Sequence, residues 1–248
     1  MMTNSKTKKK QNKVVFILGS KPDAYFPKVI PDLIITANSA IKKVQNYYGK
    51  VEIISIMSDQ IFSDNVIPGE EGFLSNTQVY IKNCKMNKII LLKTLSNSSY
   101  VIDINEWLTF EKYISLSRWE YHKLIMKFVS FKESFIQLVK SENLYNIFKT
   151  LYQTLRYGKY NPTEVSTGII SLAYAMDRYL ECDIYVIGVG IDEKSGYDFS
   201  KKAVYNYFHI PRDIFFIKTL IKKDLVSRIF FTDPELKNNI ESWKQEGK

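Results

Sequence analysis

The chain has 248 residues, a formal charge of +9 at neutral pH and a hydrophobic fraction of 45%. This length and apolar content allow one sizeable core and exclude a globally disordered chain. No apolar run approaches the roughly 18 residues that a membrane-spanning helix requires. Residues 1–13 form a polar, lysine-rich leader without the apolar middle of a signal peptide, so we expect a cytoplasmic protein.

The positive charge is dispersed except in this leader, which contains Lys6, Lys8, Lys9, Lys10 and Lys13. The leader is either a solvated tail or a peripheral contact with the anionic inner face of a membrane, at about 1 kcal/mol per lysine. No zinc finger or aromatic RNA-binding motif occurs, so we expect no nucleic-acid partner. The two cysteines are too few for a zinc site and are expected to stay reduced.

Short apolar runs in the first part of the chain predict strands that are buried on both faces. They span residues 14–18, 33–35, 51–57 and 89–92. After the second run, Asn38 or Ser39 is predicted to cap a helix that continues through Ile41 and Val44.

The region from about residue 105 to residue 158 is rich in aromatic residues, leucine and lysine at helical spacing, and it contains no proline. This pattern predicts two or three helices, one of them from Arg118 to Lys140. We expect them to form a lid or insertion rather than more sheet.

The last third of the chain returns to alternating elements. A core-facing helix is predicted after Thr163–Gly168, followed by a strand over residues 184–187. Pro211 suits the first turn of a helix that ends near Lys222 or Lys223, and a strand over residues 228–231 follows. Strands alternating with helices predict an α/β fold with a mostly parallel, Rossmann-like sheet and helices on both faces. We expect one domain over residues 14–248.

Four segments rich in glycine and small polar residues fall at predicted strand ends or helix starts. They are Gly19-Ser20-Lys21-Pro22, Thr36-Ala37-Asn38-Ser39, Ser166-Thr167-Gly168 and Gly188-Val189-Gly190-Ile191-Asp192. Each segment alone has a composition that is common in turns. Together they favour a nucleotide ligand, because ligands of open parallel sheets bind beyond the carboxyl ends of the strands.

Catalytic candidates are few, because the chain has only two histidines. His122 lies within a predicted helix and is expected to be structural. His209 precedes a predicted helix, and it is either a general base or a locally packed loop residue. No Walker motif, triple-glycine fingerprint, nucleophile elbow, Asp-x-Asp motif or metal-ligand spacing occurs, so we expect a reaction without metal or cofactor.

These features resemble the small bacterial sialyltransferases that decorate lipooligosaccharides. The similarity lies in the strand followed by Gly19-Ser20-Lys21-Pro22, in Asn38, in the stretch Val165–Asp192, and in His209 ahead of a helix and a final strand. It covers most of residues 14–235. Val165–Asp192 and His209 are its most specific parts.

The resemblance implies a single Rossmann-like domain with a small lid and a metal-independent transfer of an acidic sugar from a CMP donor to a surface glycan. By this resemblance, His209 deprotonates the acceptor, and Tyr197 and Tyr207 are candidates to hydrogen-bond the departing phosphate. The donor would be bound by the following residues: Gly19, Ser20, Lys21, Asn38, Ser39, Ser166, Thr167, Gly168, Gly188, Gly190 and Asp192.

The chain departs from the family at two positions. Asp23 stands in place of a serine, and Glu164 occupies a place where an arginine is common. Sialic acid, Kdo and other CMP-activated acidic sugars therefore all stay open as donors.

Two other functions stay open as well. One is a nucleotide-dependent enzyme of the motility-associated or pterin pyrophosphokinase-like group, and the other is a non-catalytic nucleotide-binding module docked at the membrane. The sequence does not decide the acceptor, the linkage or the oligomeric state.

Overall fold

The computed structural model describes residues 12–22, 24–62, 71–93, 103–141, 147–148, 165–190 and 209–246. These residues form a seven-stranded, all-parallel sheet. Its strands are β1 (Val14–Leu18), β2 (Leu33–Ala37), β3 (Glu52–Ser58), β4 (Cys84–Leu92), β5 (Leu108–Leu116), β6 (Asp183–Ile187) and β7 (Ile229–Phe231). The predicted α/β, Rossmann-like fold class is confirmed.

The α-helices of the described residues are α1 (Glu71–Ile81), α2 (Arg118–Met126), α3 (Phe131–Ser141), α4 (Thr167–Arg178), α5 (Ile210–Lys222) and α6 (Pro234–Glu246). Three 3₁₀ helices accompany them, at Asn38–Tyr47, Asp59–Phe62 and Ile104–Glu106. None of the described helices is both long and apolar enough to cross a bilayer.

The strand order is β5-β4-β3-β2-β1-β6-β7. The chain therefore runs outward from β1 to β5 and then returns to the other side of β1. This reversal makes the carboxyl ends of β1 and β6 the topological switch point, where open α/β sheets usually bind their ligands.

Alternation along the strands builds a core on each face of the sheet. In β1, Val15 and Ile17 pack on the face covered by α2, α4, α5 and α6, whereas Phe16 and Leu18 pack on the opposite face. The 3₁₀ helix Asn38–Tyr47 covers that second face with Ala40, Ile41 and Val44. Helices on both faces explain why β1 is a continuous apolar run. The two cysteines are free and buried.

The structure differs from the sequence prediction mainly in the region after residue 104. Leu108–Leu116 is strand β5 at the edge of the sheet, so the expectation of helices without further sheet was wrong there. Most of its side chains are exposed or half-buried, and such a strand lacks the apolar run used to recognise β1.

The helix predicted from Arg118 to Lys140 is also divided, into α2 and α3. The break is stabilised at Ser130, whose hydroxyl and amide both bond the side chain of Glu133 at 2.8 Å. This arrangement resembles a capping box, which starts a new helix.

Candidate functional site

The start of helix α4 lies where the predicted site segments meet. Three consecutive residues there contact three different elements. The Ser166 amide donates to Asp213 of α5 at 2.9 Å, and the Thr167 hydroxyl accepts from Asn38 beyond β2 at 3.2 Å. Gly168 packs against Val189 of the loop after β6, since an added Cβ would lie 3.1 Å from that side chain.

Polar groups at the ends of β1, β2 and β3 form two neighbouring sets of hydrogen bonds beside this helix start. Asn38 donates to Thr167 and accepts from the Ser58 amide at 3.1 Å. The Ser39 hydroxyl donates to Ser20 at 3.1 Å, and Ser20 donates weakly to the Ala37 carbonyl at 3.4 Å. The structure therefore brings together four residues that the sequence predicted as ligand contacts: Ser20, Asn38, Ser39 and Thr167.

The predicted capping role of Asn38 or Ser39 is wrong. The following 3₁₀ helix is preceded by Ala37, without a side-chain cap bond. Asn38 instead adopts a left-handed backbone conformation with φ of 49°, which asparagine tolerates better than most residues. This backbone bend is accompanied by side-chain contacts to the ends of β3 and α4.

The glycines at the switch point pack backbone against backbone. The Gly19 amide donates to the Ile187 carbonyl at 2.8 Å, and the Lys21 amide donates to the Gly188 carbonyl at 3.0 Å. A Cβ on Gly19 would lie 2.3 Å from the Gly188 oxygen, which is an impossible contact. Gly188 itself has φ of 62° and lies beside Ala24. Both glycines are therefore required by the contact between the β1 and β6 loops.

The side chain of Lys21, in the loop after β1, forms an ion pair. Its ammonium lies 2.6 Å from Asp233, and both side chains are largely buried. Asp233 also accepts from the amides of Glu235 and Leu236, at 3.1 Å each, and so caps α6. The lysine predicted to hold phosphate is thus bound to a carboxylate that the sequence prediction did not include.

Helix α5 places His209 and Asp213 one turn apart at its start. His209 is half-buried, and its Nδ1 is buried without a hydrogen-bond partner among the described residues. Asp213 is 1% exposed. Burial raises the pKa of the Asp213 carboxyl to about 6, although His209 and the hydrogen bonds from Ser166 act in the opposite direction.

Sequence reasoning missed Asp213. An acidic residue in the first turn of an amphipathic helix usually signals only a favourable interaction with the helix dipole. The available signal was its position four residues after His209, because this spacing places both residues on one face of a helix.

The first turn of α4 provides groups that suit an anion. The amides of Thr167 and Gly168 have no hydrogen-bond partner among the described residues, as expected for the first two positions of a helix. The Ser166 hydroxyl accepts from the third amide, that of Ile169, at 3.4 Å. Two amides and the Thr167 hydroxyl are therefore gathered at the positive end of a 12-residue helix.

The remaining predicted residues are less informative. Gly190 is half-buried directly after Val189. Tyr197, Tyr207 and Asp192 lie outside the described residues, as do the departures at Asp23 and Glu164.

No group of three or more His, Cys, Asp and Glu side chains with metal-site geometry occurs in the described ranges.

No protein-family model matches the chain, and neither curated proteins nor solved structures show significant similarity to it. The resemblance to small bacterial sialyltransferases therefore stays a prediction based on the quoted motifs.

Proposed function

We propose that the protein is a glycosyltransferase that binds a CMP-activated acidic sugar at the carboxyl edge of its sheet and transfers the sugar to a glycan hydroxyl. The observation that carries this proposal is the start of α4, where Ser166, Thr167 and Gly168 contact α5, the β2 end and the β6 loop. Residues that are distant in the chain converge on this one helix start.

The amides of Thr167 and Gly168 suit the oxygens of a phosphate ester, since a helix N-terminus combines free N–H groups with positive dipole potential. The half-buried side chain of Asn38 is hydrogen-bonded to Thr167, and half-buried Ser20 is hydrogen-bonded to Ser39, the residue that follows Asn38; both offer groups for a ribose or sugar. The cytidine base and the acidic sugar come from the motif resemblance.

His209 is the residue proposed to activate the acceptor. Its imidazole would take the proton of the acceptor hydroxyl while the oxygen forms a bond to the anomeric carbon. The bond between that carbon and the phosphate oxygen breaks, and CMP leaves with the electron pair. The α4 amides, with Tyr197 and Tyr207 by resemblance, would stabilise the charge on the departing phosphate.

A thermal-shift screen tests the donor. A ligand at 100 times its dissociation constant stabilises a protein by about 2.7 kcal/mol, so CMP or CTP should raise the Tm above the values with ADP, UDP or NAD. A screen in which cytidine nucleotides have no greater effect than the others would contradict a cytidine donor.

Turnover tests the base. We expect His209→Ala to lower the rate of transfer from CMP-sialic acid or CMP-Kdo by roughly 10²- to 10⁴-fold while CMP binding persists. His122→Gln is the matched control, because it changes the chain's other histidine, which lies on the buried side of α2. Unchanged turnover in His209→Ala would remove the assigned role.

Metal chelation separates this proposal from pyrophosphoryl transfer. Pyrophosphoryl transfer requires Mg²⁺ to neutralise phosphate charge, whereas the proposed reaction uses protein groups. Sugar transfer should therefore continue in EDTA, and its complete loss, with recovery on adding Mg²⁺, would favour the competing enzyme class.

A further inference from the structure

Asp213 is a nearly fully buried carboxyl group to which the proposed reaction gives no role. It lies in the first turn of α5 and is 1% exposed. Burying a carboxylate is unfavourable unless it is well hydrogen-bonded, so its contacts indicate what it contributes.

Its first contact is to the start of α4. One carboxyl oxygen, Oδ1, accepts from the Ser166 amide at 2.9 Å. Ser166 directly precedes Thr167 and Gly168, whose amides are proposed to bind phosphate. Its own hydroxyl accepts from the Ile169 amide and so caps α4. The orientation of the amides of Thr167 and Gly168 therefore depends on a residue that Asp213 holds.

Its second contact is to the start of α5. The Asp213 amide donates to the His209 carbonyl at 2.8 Å, which closes the first helical turn. One residue thus joins the helix start that bears the proposed anion site to the helix start that bears the proposed base. The charged or titratable groups acting on Asp213 are His209 and Arg212 of its own helix, whereas α4 faces it with the uncharged Ser166.

We propose that Asp213 is a positioning residue that fixes the start of α4 relative to His209, so that the Thr167 and Gly168 amides and the imidazole face one bound ligand. This inference rests on the proposed function, because it assigns the bound ligand to that site. It adds a residue that touches neither the donor nor the acceptor.

The test uses CMP as the probe and the full chain as the protein. CMP affinity is measured by calorimetry, and the amide resonances of Thr167 and Gly168 are followed by NMR. Asp213→Ala removes the acceptor and should weaken CMP binding about tenfold or more. Asp213→Asn retains an oxygen acceptor of the same shape, so it should bind CMP within about threefold of the wild type.

Ile240→Ala is the control for a loss of stability alone. Ile240 is buried in α6, outside the site, so its truncation should destabilise the protein while leaving CMP affinity unchanged. A purely structural role of Asp213 would make Asp213→Ala behave like Ile240→Ala, and that result would overturn the inference.

If Asp213→Ala does not fold, a pair of variants at Ser166 replaces it. Ser166 has φ of −63°, which proline can adopt, so Ser166→Pro removes the amide donor and Ser166→Ala removes only the hydroxyl. CMP should bind more weakly to Ser166→Pro than to Ser166→Ala, and equal affinities would overturn the inference. Absence of CMP binding to the wild type would instead overturn the proposed function.

Discussion

The two sides of strand β1 differ at its carboxyl end. On the β6 side, Gly19 and Gly188 bring two loop backbones into direct contact. On the β2 side, Asn38 and Thr167 connect polar side chains beside a helix start whose amides are free among the described residues. Glycine, serine and asparagine at strand ends thus arise here from two causes, loop packing and a polar cluster, and the polar cluster offers more groups to a ligand.

The largest expected effect is on the glycine side. Gly19→Ala places a Cβ 2.3 Å from a backbone oxygen, so we expect a loss of at least about 3 kcal/mol in the free energy of unfolding. Gly49→Ala is the control, because Gly49 has φ of +80° but nothing within 4 Å of an added Cβ, and it should lose only about 1 kcal/mol. Urea unfolding measures both, and equal losses would show that the loops separate easily.

Two buried titratable groups should make stability depend on pH in opposite directions. The folded-state pKa of Asp213 is about 6 against an ordinary 3.8, so the folded state binds more protons and stability falls as pH rises from about 4 to 6. Burial lowers the pKa of His122 to about 4 from 6.5, so stability rises with pH over a similar window.

Each of these effects is worth about 3 kcal/mol. Relative to the wild type, Asp213→Asn should therefore become more stable by about that amount between pH 4 and pH 7, and His122→Gln should become less stable. Urea titrations at several pH values check both signs. A pH-independent difference for Asp213→Asn would contradict a buried carboxyl that resists ionisation.

A smaller effect on stability is expected for the polar side chains on the β2 side of strand β1. Asn38→Ala and Thr167→Val each remove one partner of the 3.2 Å hydrogen bond, and a double-mutant cycle should give a coupling of about 1 kcal/mol. Asn38→Gly is informative beside them, because it removes the side chain while relieving the left-handed backbone conformation. A coupling near zero would mean that the cluster does not hold α4 to the β2 end.

The smallest effect is expected for the ion pair of Lys21 and Asp233. The two side chains are only 19% and 11% exposed, so the attraction between them is largely offset by the cost of their desolvation, and the double variant Lys21→Met/Asp233→Asn should differ from the wild type by about 1 kcal/mol or less in the free energy of unfolding. Asparagine retains the oxygen that caps α6. If Lys21→Met weakens CMP binding more than Asp233→Asn does, the lysine acts on the ligand as the sequence predicted.

The sequence predicted the boundaries of buried strands more accurately than those of exposed strands. The run Val14–Leu18 is bounded correctly, because both of its faces are covered and every residue is apolar. β4 begins at Cys84, five residues before its predicted start, since Lys85, Asn87 and Lys88 interrupt the apolar pattern. The sequence did not predict β5, because the side chains of an exposed edge strand stay in contact with water and need not be apolar.

The candidate site shows the same limit. Gly19, Asn38 and Thr167 could be selected from their positions at strand ends and helix starts, which follow from local pattern. The contacts of Asp213 and Asp233 could not be predicted, because they join residues far apart in the chain: Asp213 lies 47 residues from Ser166, and Asp233 lies 212 residues from Lys21.

The amino-acid order by itself determined the alternation of strands and helices, since apolar periodicity reflects which side chains must leave water. It also determined which segments carry flexible or hydrogen-bonding residues. Only the tertiary structure decided what those residues contact. The order of the strands and the contacts between loops set the distances between residues that are far apart in the chain. Those distances decide which hydrogen bonds form and which side chains would collide.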